Sequence, residues 1–415
     1  MSAVKRFYKS HNIAVFLFCF VVLYNIIFAA NFKLPQVSWV VFSYHAVDFS
    51  MGFCSKLIVG SLYNLFFNVV KDEFIILMES VVLTILFAGV SFLLEHFINS
   101  TKREYKKIAL ICSLFFLTGP CTFSMYVLEI GMFDVYWVLG CVLFFYFMTN
   151  KKLYVLTIPL FLVVLMVHYG SIFAYIPFMV IIMLYKLSCC DDKKERRLLW
   201  FVAITSSVAV IGLFVYLLMF EMENVTYSFE DFRAVLKERG VTNTSFYDYS
   251  FYHESGEYYE NLFSDVVEKY KVADASPMEN LVNTIMMVAL FTYTTVSLTV
   301  DILPLLIISP IMLLIYKCLF FIFKSEKNNK VKRFSLFCMF ALFWFTYIVA
   351  TFTSMDDLRW ITHSFFPLFC CFLYICYIEK DRFTSYCFSL VNCIPKPCLF
   401  FYFLMYAVLT IYPYT

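Results

Sequence analysis

Residues 74–107 read FIILMESVVLTILFAGVSFLLEHFINSTKREYKK, an apolar run that ends in a Lys/Arg-rich loop. About 20 helical residues cross a ~30 Å hydrocarbon core, and 74–97 supply that length before the polar loop begins. By the positive-inside rule the cluster Lys102/Arg103/Lys106/Lys107 is cytoplasmic. The pattern repeats in both directions from here. Lys5/Arg6/Lys9, Lys151/Lys152, Lys193/Lys194/Arg196/Arg197, the 324–333 run and Lys380/Arg382 all fall between apolar runs, and all fall on one side of a membrane if the runs cross it in turn.

Helices are expected at 12–30, 74–97, 107–124, 131–149, 153–167, 171–188, 199–219, 302–323, 334–353, 361–378 and 396–412. This describes an all-α polytopic membrane protein with about eleven spans and a single integral-membrane domain, 1–415. The N-terminus is then cytoplasmic and the C-terminus extracytoplasmic. The first apolar run follows Lys5/Arg6 like a signal peptide, but the many later spans make it a signal anchor. The spans 153–167 and 171–188 form a tight hairpin that turns at His168-Tyr169-Gly170.

Two outer segments stand apart. The first outer loop, 31–73, contains a stretch over 52–70 that sets Lys56, Ser61, Asn64 and Asn68 against Leu57, Ile58, Leu62, Leu65 and Phe66, as a helix lying in the membrane interface would. The second, 221–280, holds 13 acidic and 5 basic residues, a net of −8 that leaves +10 for the rest of the chain. It is rich in Tyr, carries a short helix over 229–239, and is too small for a core of its own. Residues 281–300 suit a re-entrant element, and 383–395 an interfacial stretch on the cytoplasmic side.

Several classes are excluded. The basic residues sit at helix ends, which matches an anionic inner leaflet rather than nucleic acid. None of the 15 cysteines lies in 221–280, so no disulfide framework holds that segment. The adjacent pairs Cys189-Cys190 and Cys370-Cys371 have poor spacing for tetrahedral zinc, and the cysteines read as small hydrophobes. No phosphate-binding P-loop occurs, which argues against ATP-driven transport by this chain alone.

Polar groups collect at the outer ends of different spans. Tyr44-His45-Ala46-Val47-Asp48-Phe49-Ser50 is one group, with Lys56 further on. Glu129 to Asp134 is a second, His168-Tyr169 a third, and Asp356-Asp357-Leu358-Arg359-Trp360 with His363 a fourth. Each has a plain structural alternative. Asp48 could be a solvated loop acid, Glu129 and Asp134 could face a helix dipole, His168 could close a turn, and Asp356/Asp357 could cap a helix with Arg359 paired to them. Ionisable groups near membrane depth are costly, so several at one face suggest a shared site. A carboxylate there could accept a proton from a hydroxyl, cations could hold a phosphate, and aromatic faces could take sugars.

The segments Val47-Asp48-Phe49-Ser50-Met51-Gly52-Phe53, Gly131-Met132-Phe133-Asp134 and Asp357-Leu358-Arg359-Trp360, with the long first outer loop, resemble the GT-C class of integral-membrane glycosyltransferases and the related O-antigen and capsule repeat-unit polymerases. The resemblance implies a GT-C-like fold, an outer-face site, a polyprenyl-phosphate- or diphosphate-linked sugar donor, a glycan acceptor and a bacterial cytoplasmic membrane. It also implies that the first-loop acid, Asp48, is the catalytic base, with Glu129 and Asp134 next in line. Lys56, His168, Tyr169, Asp357, Arg359 and Trp360 are the candidates for substrate and phosphate. Met132, Tyr169 and Lys56 stand where similar sequences carry Arg, an acid and Arg. A divalent cation would find acids here, although no ligand spacing demands one. Two other functions compete. A transporter or lipid-linked oligosaccharide flippase needs a polar path through the helix middles, where only Glu79 near a helix end stands out; an acyltransferase would rest on His168 alone.

Overall fold

The computed structural model describes residues 10–29, 37, 39–53, 57–119, 122–128, 130–224, 229–241, 298–353 and 357–409. Among these residues there is no β-strand. The helices are α1 (Asn12–Tyr24), α2 (Trp39–Ala46), α3 (Leu57–Asn64), α4 (Asp72–Ser100), α5 (Lys106–Leu117), α6 (Ser124–Leu128), α7 (Asp134–Thr149) and α8 (Thr157–Val167). They continue with α9 (Ser171–Ala174), α10 (Ile176–Ser188), α11 (Lys193–Asn224), α12 (Phe229–Glu238), α13 (Leu298–Ser325), α14 (Lys330–Thr353), α15 (Asp357–Asn392) and α16 (Lys396–Leu409). A helix satisfies its own backbone hydrogen bonds, which is why apolar runs in lipid take this form.

Each of the eleven expected runs contains helix. Among the described residues five are long and apolar enough to cross a membrane: Asp72–Ser100, Ser171–Ser188, Lys193–Leu217, Ile308–Ser325 and Ile361–Glu379. Asn12–Ile27, Asp134–Thr149 and Tyr154–Val167 are apolar but shorter. The run expected over 107–124 stops at Leu117. Gly119 and Pro120 follow, and a residue before proline is pushed out of the helical region. The expected span 361–378 and the separate stretch 383–395 both fall within α15, but its axis bends sharply between them: the Thr384 hydroxyl reaches the Cys376 carbonyl at 3.3 Å and the Phe372 and Phe383 rings lie 6.1 Å apart, which a straight helix rising 1.5 Å per residue forbids. No Gly or Pro interrupts the chain between Pro367 and Pro395. Residues 242–297, which include most of the acidic outer segment and nearly all of the proposed re-entrant element, lie outside the described residues.

Polar contacts tie together the helix ends that adjoin the basic loops around 102–107, 186–197 and 324–333. Glu95 near the end of α4 accepts the Ala14 N–H of α1 at 3.2 Å and lies 2.7 Å from His11 Nδ1, so one helix caps another. Glu379 of α15 receives Lys332 Nζ at 2.7 Å and the Tyr185 hydroxyl at 2.6 Å. Lys332 also bonds Glu326 at 3.0 Å, and the Asn329 amide donates to the Ser188 carbonyl at 3.0 Å. This network joins α10, α14 and α15. Above it the core is aromatic: Phe116 and Phe369 stack at 4.3 Å, and Phe123 packs edge-on to Phe87 and Phe116.

At the other end α2 and α3 pack tightly. The stretch expected to be amphipathic forms helix only over α3; it buries Leu57, Val59, Gly60 and Tyr63 and leaves Leu65 and Phe66 about three-quarters exposed just beyond, at 74% and 75%. Gly60 allows the close approach. A Cβ there would lie 1.7 Å from the Val47 carbonyl oxygen and 2.7 Å from that of Tyr44, both backbone atoms that cannot swing aside. Gly60→Ala should therefore part α2 from α3 and lower the unfolding temperature in detergent by several degrees. Gly212→Ala on α11, where a Cβ meets nothing within 4 Å, should leave it unchanged or raise it.

Candidate functional site

The end opposite the basic loops holds three polar clusters, and the first turn of α7 joins two of them. Phe133, just before α7, is a hub. The Tyr44 ring meets it edge-on at 4.8 Å, the His168 ring stacks on it at 4.6 Å, and Trp137 lies 5.7 Å away. The next residues of α7 reach in different directions, Asp134 to α15 and Tyr136 to α4.

Asp48 forms the most accessible cluster. It caps the short turn Phe49–Met51, accepting the Ser50 N–H at 2.8 Å and the Ser50 hydroxyl. Its second oxygen accepts Asn64 Nδ2 at 2.9 Å and Arg239 Nη2 at 2.8 Å. Arg239 also donates through Nη1 to the Ala46 carbonyl. What brings Arg239 here is the end of α12. Gly240, at φ 89°, reverses the chain so that the Val241 N–H returns to the Leu236 carbonyl at 2.9 Å, a closure that favours glycine. Leu236 and Val241 then enter an apolar cluster with Val41, Ala46, Val47, Leu57, Tyr63, Val70 and Ile75. The Val70 N–H donates to the Arg239 carbonyl at 2.8 Å. The acidic outer segment is thus fastened to the first outer loop.

Two opposing effects act on the Asp48 carboxyl. Burial does push its carboxyl up, but hydrogen bonds from Ser50 and Arg239, with the guanidinium charge, outweigh this and hold it below the ordinary 3.8.

The second cluster is wholly buried. His45 Nδ1 lies 2.9 Å from the Val41 carbonyl, which can only accept, so Nδ1 carries a proton. Its Nε2 faces Glu79 Oε1 at 3.2 Å, and the Tyr136 hydroxyl donates to the same oxygen at 2.7 Å. The His45–Glu79 contact is a hydrogen bond only if one more proton is present, on the imidazole or on the carboxyl.

In the third cluster His363 Nε2 stands 3.3 Å from Asp134 Oδ1, both side chains fully buried. His363 Nδ1 lies 2.8 Å from the Tyr175 hydroxyl, which lies 3.4 Å from that of Tyr126. The edge of Trp137 meets the His363 ring at 5.3 Å.

The expected site residues are thus placed unequally. Asp48, Asp134, His168 and Tyr169 share this end of the bundle. His168 closes its turn by accepting the Gly170 N–H at 2.9 Å, with Tyr169 stacked on it at 4.7 Å. Lys56, Glu129 and Asp356 lie outside the described residues. Asp357, Arg359 and Trp360 form the backbone of the first turn of α15; their side chains lie outside the described set. Arg239, Tyr136 and Tyr175 were not anticipated, and Glu79 stood out only as a step in a polar path. An acid inside the apolar 74–97 run was a signal for Glu79, but nothing in the sequence marked Arg239 among 18 charged residues of its segment. Among the described residues no three His, Cys, Asp or Glu side chains group as metal ligands. No family model, curated protein or solved structure matches the chain.

Arg239→Gln should cost about 1.5–3 kcal/mol at its contact, the scale of a charged hydrogen bond, and free the segment. Amides 236–241 should then exchange hydrogen faster while α4 is unaffected. Because the folded pKa of Asp48 is depressed, the stabilisation is complete above the ordinary 3.8 and is lost as pH falls through the lower folded value. Acid in that window should lower the protection of the same amides, relative to their intrinsic exchange rates, in the native chain and leave that of Arg239→Gln unchanged.

Proposed function

We propose that this chain is a membrane glycosyltransferase or polysaccharide repeat-unit polymerase working at the face opposite its basic loops on a polyprenyl-phosphate- or diphosphate-linked sugar. In this reading the membrane is a bacterial cytoplasmic membrane, the chain makes about eleven spans, the N-terminus is inside and the C-terminus outside. The observation that supports it is the Asp48–Arg239 pair: a part-buried carboxylate and a guanidinium 2.8 Å apart, at the junction of both outer segments. A carboxylate can take the proton of an acceptor hydroxyl as that oxygen bonds to the sugar's anomeric carbon, and a guanidinium can hold the departing phosphate with a planar fork. While Arg239 is bound to Asp48 the carboxylate is a poor base. A donor phosphate that draws Arg239 away restores its basicity, so donor binding would arm the acid. Asp134, sealed against His363, then acts as a positioning residue.

The test is sugar transfer from a synthetic polyprenyl-linked donor in proteoliposomes. Asp48→Asn should abolish transfer and keep donor binding, while Arg239→Ala should weaken donor use by about 2–3 kcal/mol, with Arg239→Lys recovering part. Near-normal turnover in both Asp48→Asn and Arg239→Ala would sink the reading.

A second reading, transport or flipping of lipid-linked oligosaccharide, is favoured by one observation: two His–carboxylate pairs, His45–Glu79 and His363–Asp134, are fully buried between helices. Intramembrane ionisable pairs often form proton relays. If Glu79→Gln abolishes proton-driven flux of the lipid-linked oligosaccharide while transfer is absent, this reading replaces the first.

Topology has its own check. Tags at 104, 192 and 328 should report the cytoplasm and a tag at 250 the outside. A shared side for 250 and 328 would contradict a span across 302–323.

A further inference from the structure

A separate feature lies toward the basic end. Cys112, Cys318, Cys376, Cys387 and Cys398 line one apolar cavity of about 340 Å³ between α5, α13, α15 and α16. Phe97, Phe116 and Leu373 divide it from a smaller apolar cavity of about 60 Å³ that reaches toward α4 and α7. The larger space is far bigger than a packing defect. A cavity with apolar walls stays dry, so water does not fill it. An empty one would forfeit the dispersion contacts of every side chain that lines it. Its natural occupant is therefore apolar, and the helices around it include two long enough to cross a membrane.

The charge around the rim narrows the choice. Tyr105 stacks on Phe388, a wall residue, at 5.5 Å, which sets the Lys106/Lys107 turn beside the cavity. Cys398 and Leu399, also wall residues, sit in the first turn of α16, directly after Lys396. Lys107 and Lys396 are exposed, and Glu104 is the one acid within that turn. An apolar slot beside a cationic rim matches a lipid with an anionic head.

We propose that this cavity binds one hydrocarbon chain of an anionic glycerophospholipid from the leaflet at the basic end, with its phosphate among Lys106, Lys107 and Lys396. The site is at the opposite end of the bundle from Asp48, and it stands whether or not the chain is a transferase.

The full chain is reconstituted with phosphatidylglycerol carrying a photoreactive group on one acyl chain, and in parallel with phosphatidylcholine of identical chains. Adducts are mapped by mass spectrometry. The anionic lipid should label peptides 310–318, 365–376 and 387–402 several-fold more than the exposed face of α11 at Ile204, Val208 and Ile211, and the choline lipid should show no such preference. Cys398→Trp, which plugs the cavity at its exposed rim, should remove the enrichment. The triple replacement Lys106→Gln, Lys107→Gln and Lys396→Gln should reduce it without changing the α11 adducts. Equal labelling of the cavity and of α11 would mean ordinary surrounding lipid, and equal enrichment by both lipids would mean no head-group recognition. Cross-linking of two copies through Cys398, with no lipid adducts in the cavity, would assign it to a second copy. Any of these three results overturns the proposal.

Discussion

A carboxylate placed between apolar helices must find a cation, a proton or several donors, because burying it bare is prohibitively costly. The architecture follows that constraint at both ends. At the basic end Glu95 finds a helix N-terminus and His11, and Glu379 finds Lys332 and Tyr185. At the opposite end Glu79 finds His45 and Tyr136, Asp134 finds His363, and Asp48 finds Arg239, Asn64 and Ser50. In most of these cases the partner comes from a different helix, so satisfying the charge also fixes which helices are neighbours. Such groups add little net stability against an apolar replacement, but removing one partner alone is destabilising.

The first turn of α7 concentrates this effect. Four consecutive or near-consecutive side chains, Phe133, Asp134, Tyr136 and Trp137, touch the first outer loop, α15, α4 and the 168–170 turn. A shift of this turn would disturb both buried pairs together. That makes it a physical route by which the first outer loop and α15 could sense each other, since the coupling needs only a rigid element with contacts on both sides.

The two outer segments meet through a different balance. Most of the acidic segment repels itself, with a net charge of −8 over 221–280. Its docked part carries an arginine to an acid of the first loop and, among the described side chains, buries Leu236 and Val241. The junction therefore rests on one ion pair, backbone hydrogen bonds from and to Arg239, and the apolar cluster around Leu236 and Val241.

The sequence by itself determined the helical class and the positions of nearly all the helices, because these depend on local hydropathy. It also marked the aromatic hairpin turn at 168–170 and the short helix over 229–239. It overran one helix, since the run expected to reach 124 stops at Leu117, and it separated 361–378 from 383–395, where α15 bends back on itself. It collected Asp48, Asp134, His168 and His363 at one end but could not pair them. His363 belongs to Asp134 across 229 residues of chain, and Arg239 reaches Asp48 across 191. Those partnerships arise from helix packing and from one glycine turn at Gly240, which no local pattern encodes. The low pKa of Asp48 is only partly a tertiary property: burial pushes it up, the local hydrogen bonds from Ser50 pull it down, and Arg239, arriving from beyond α12, adds to them.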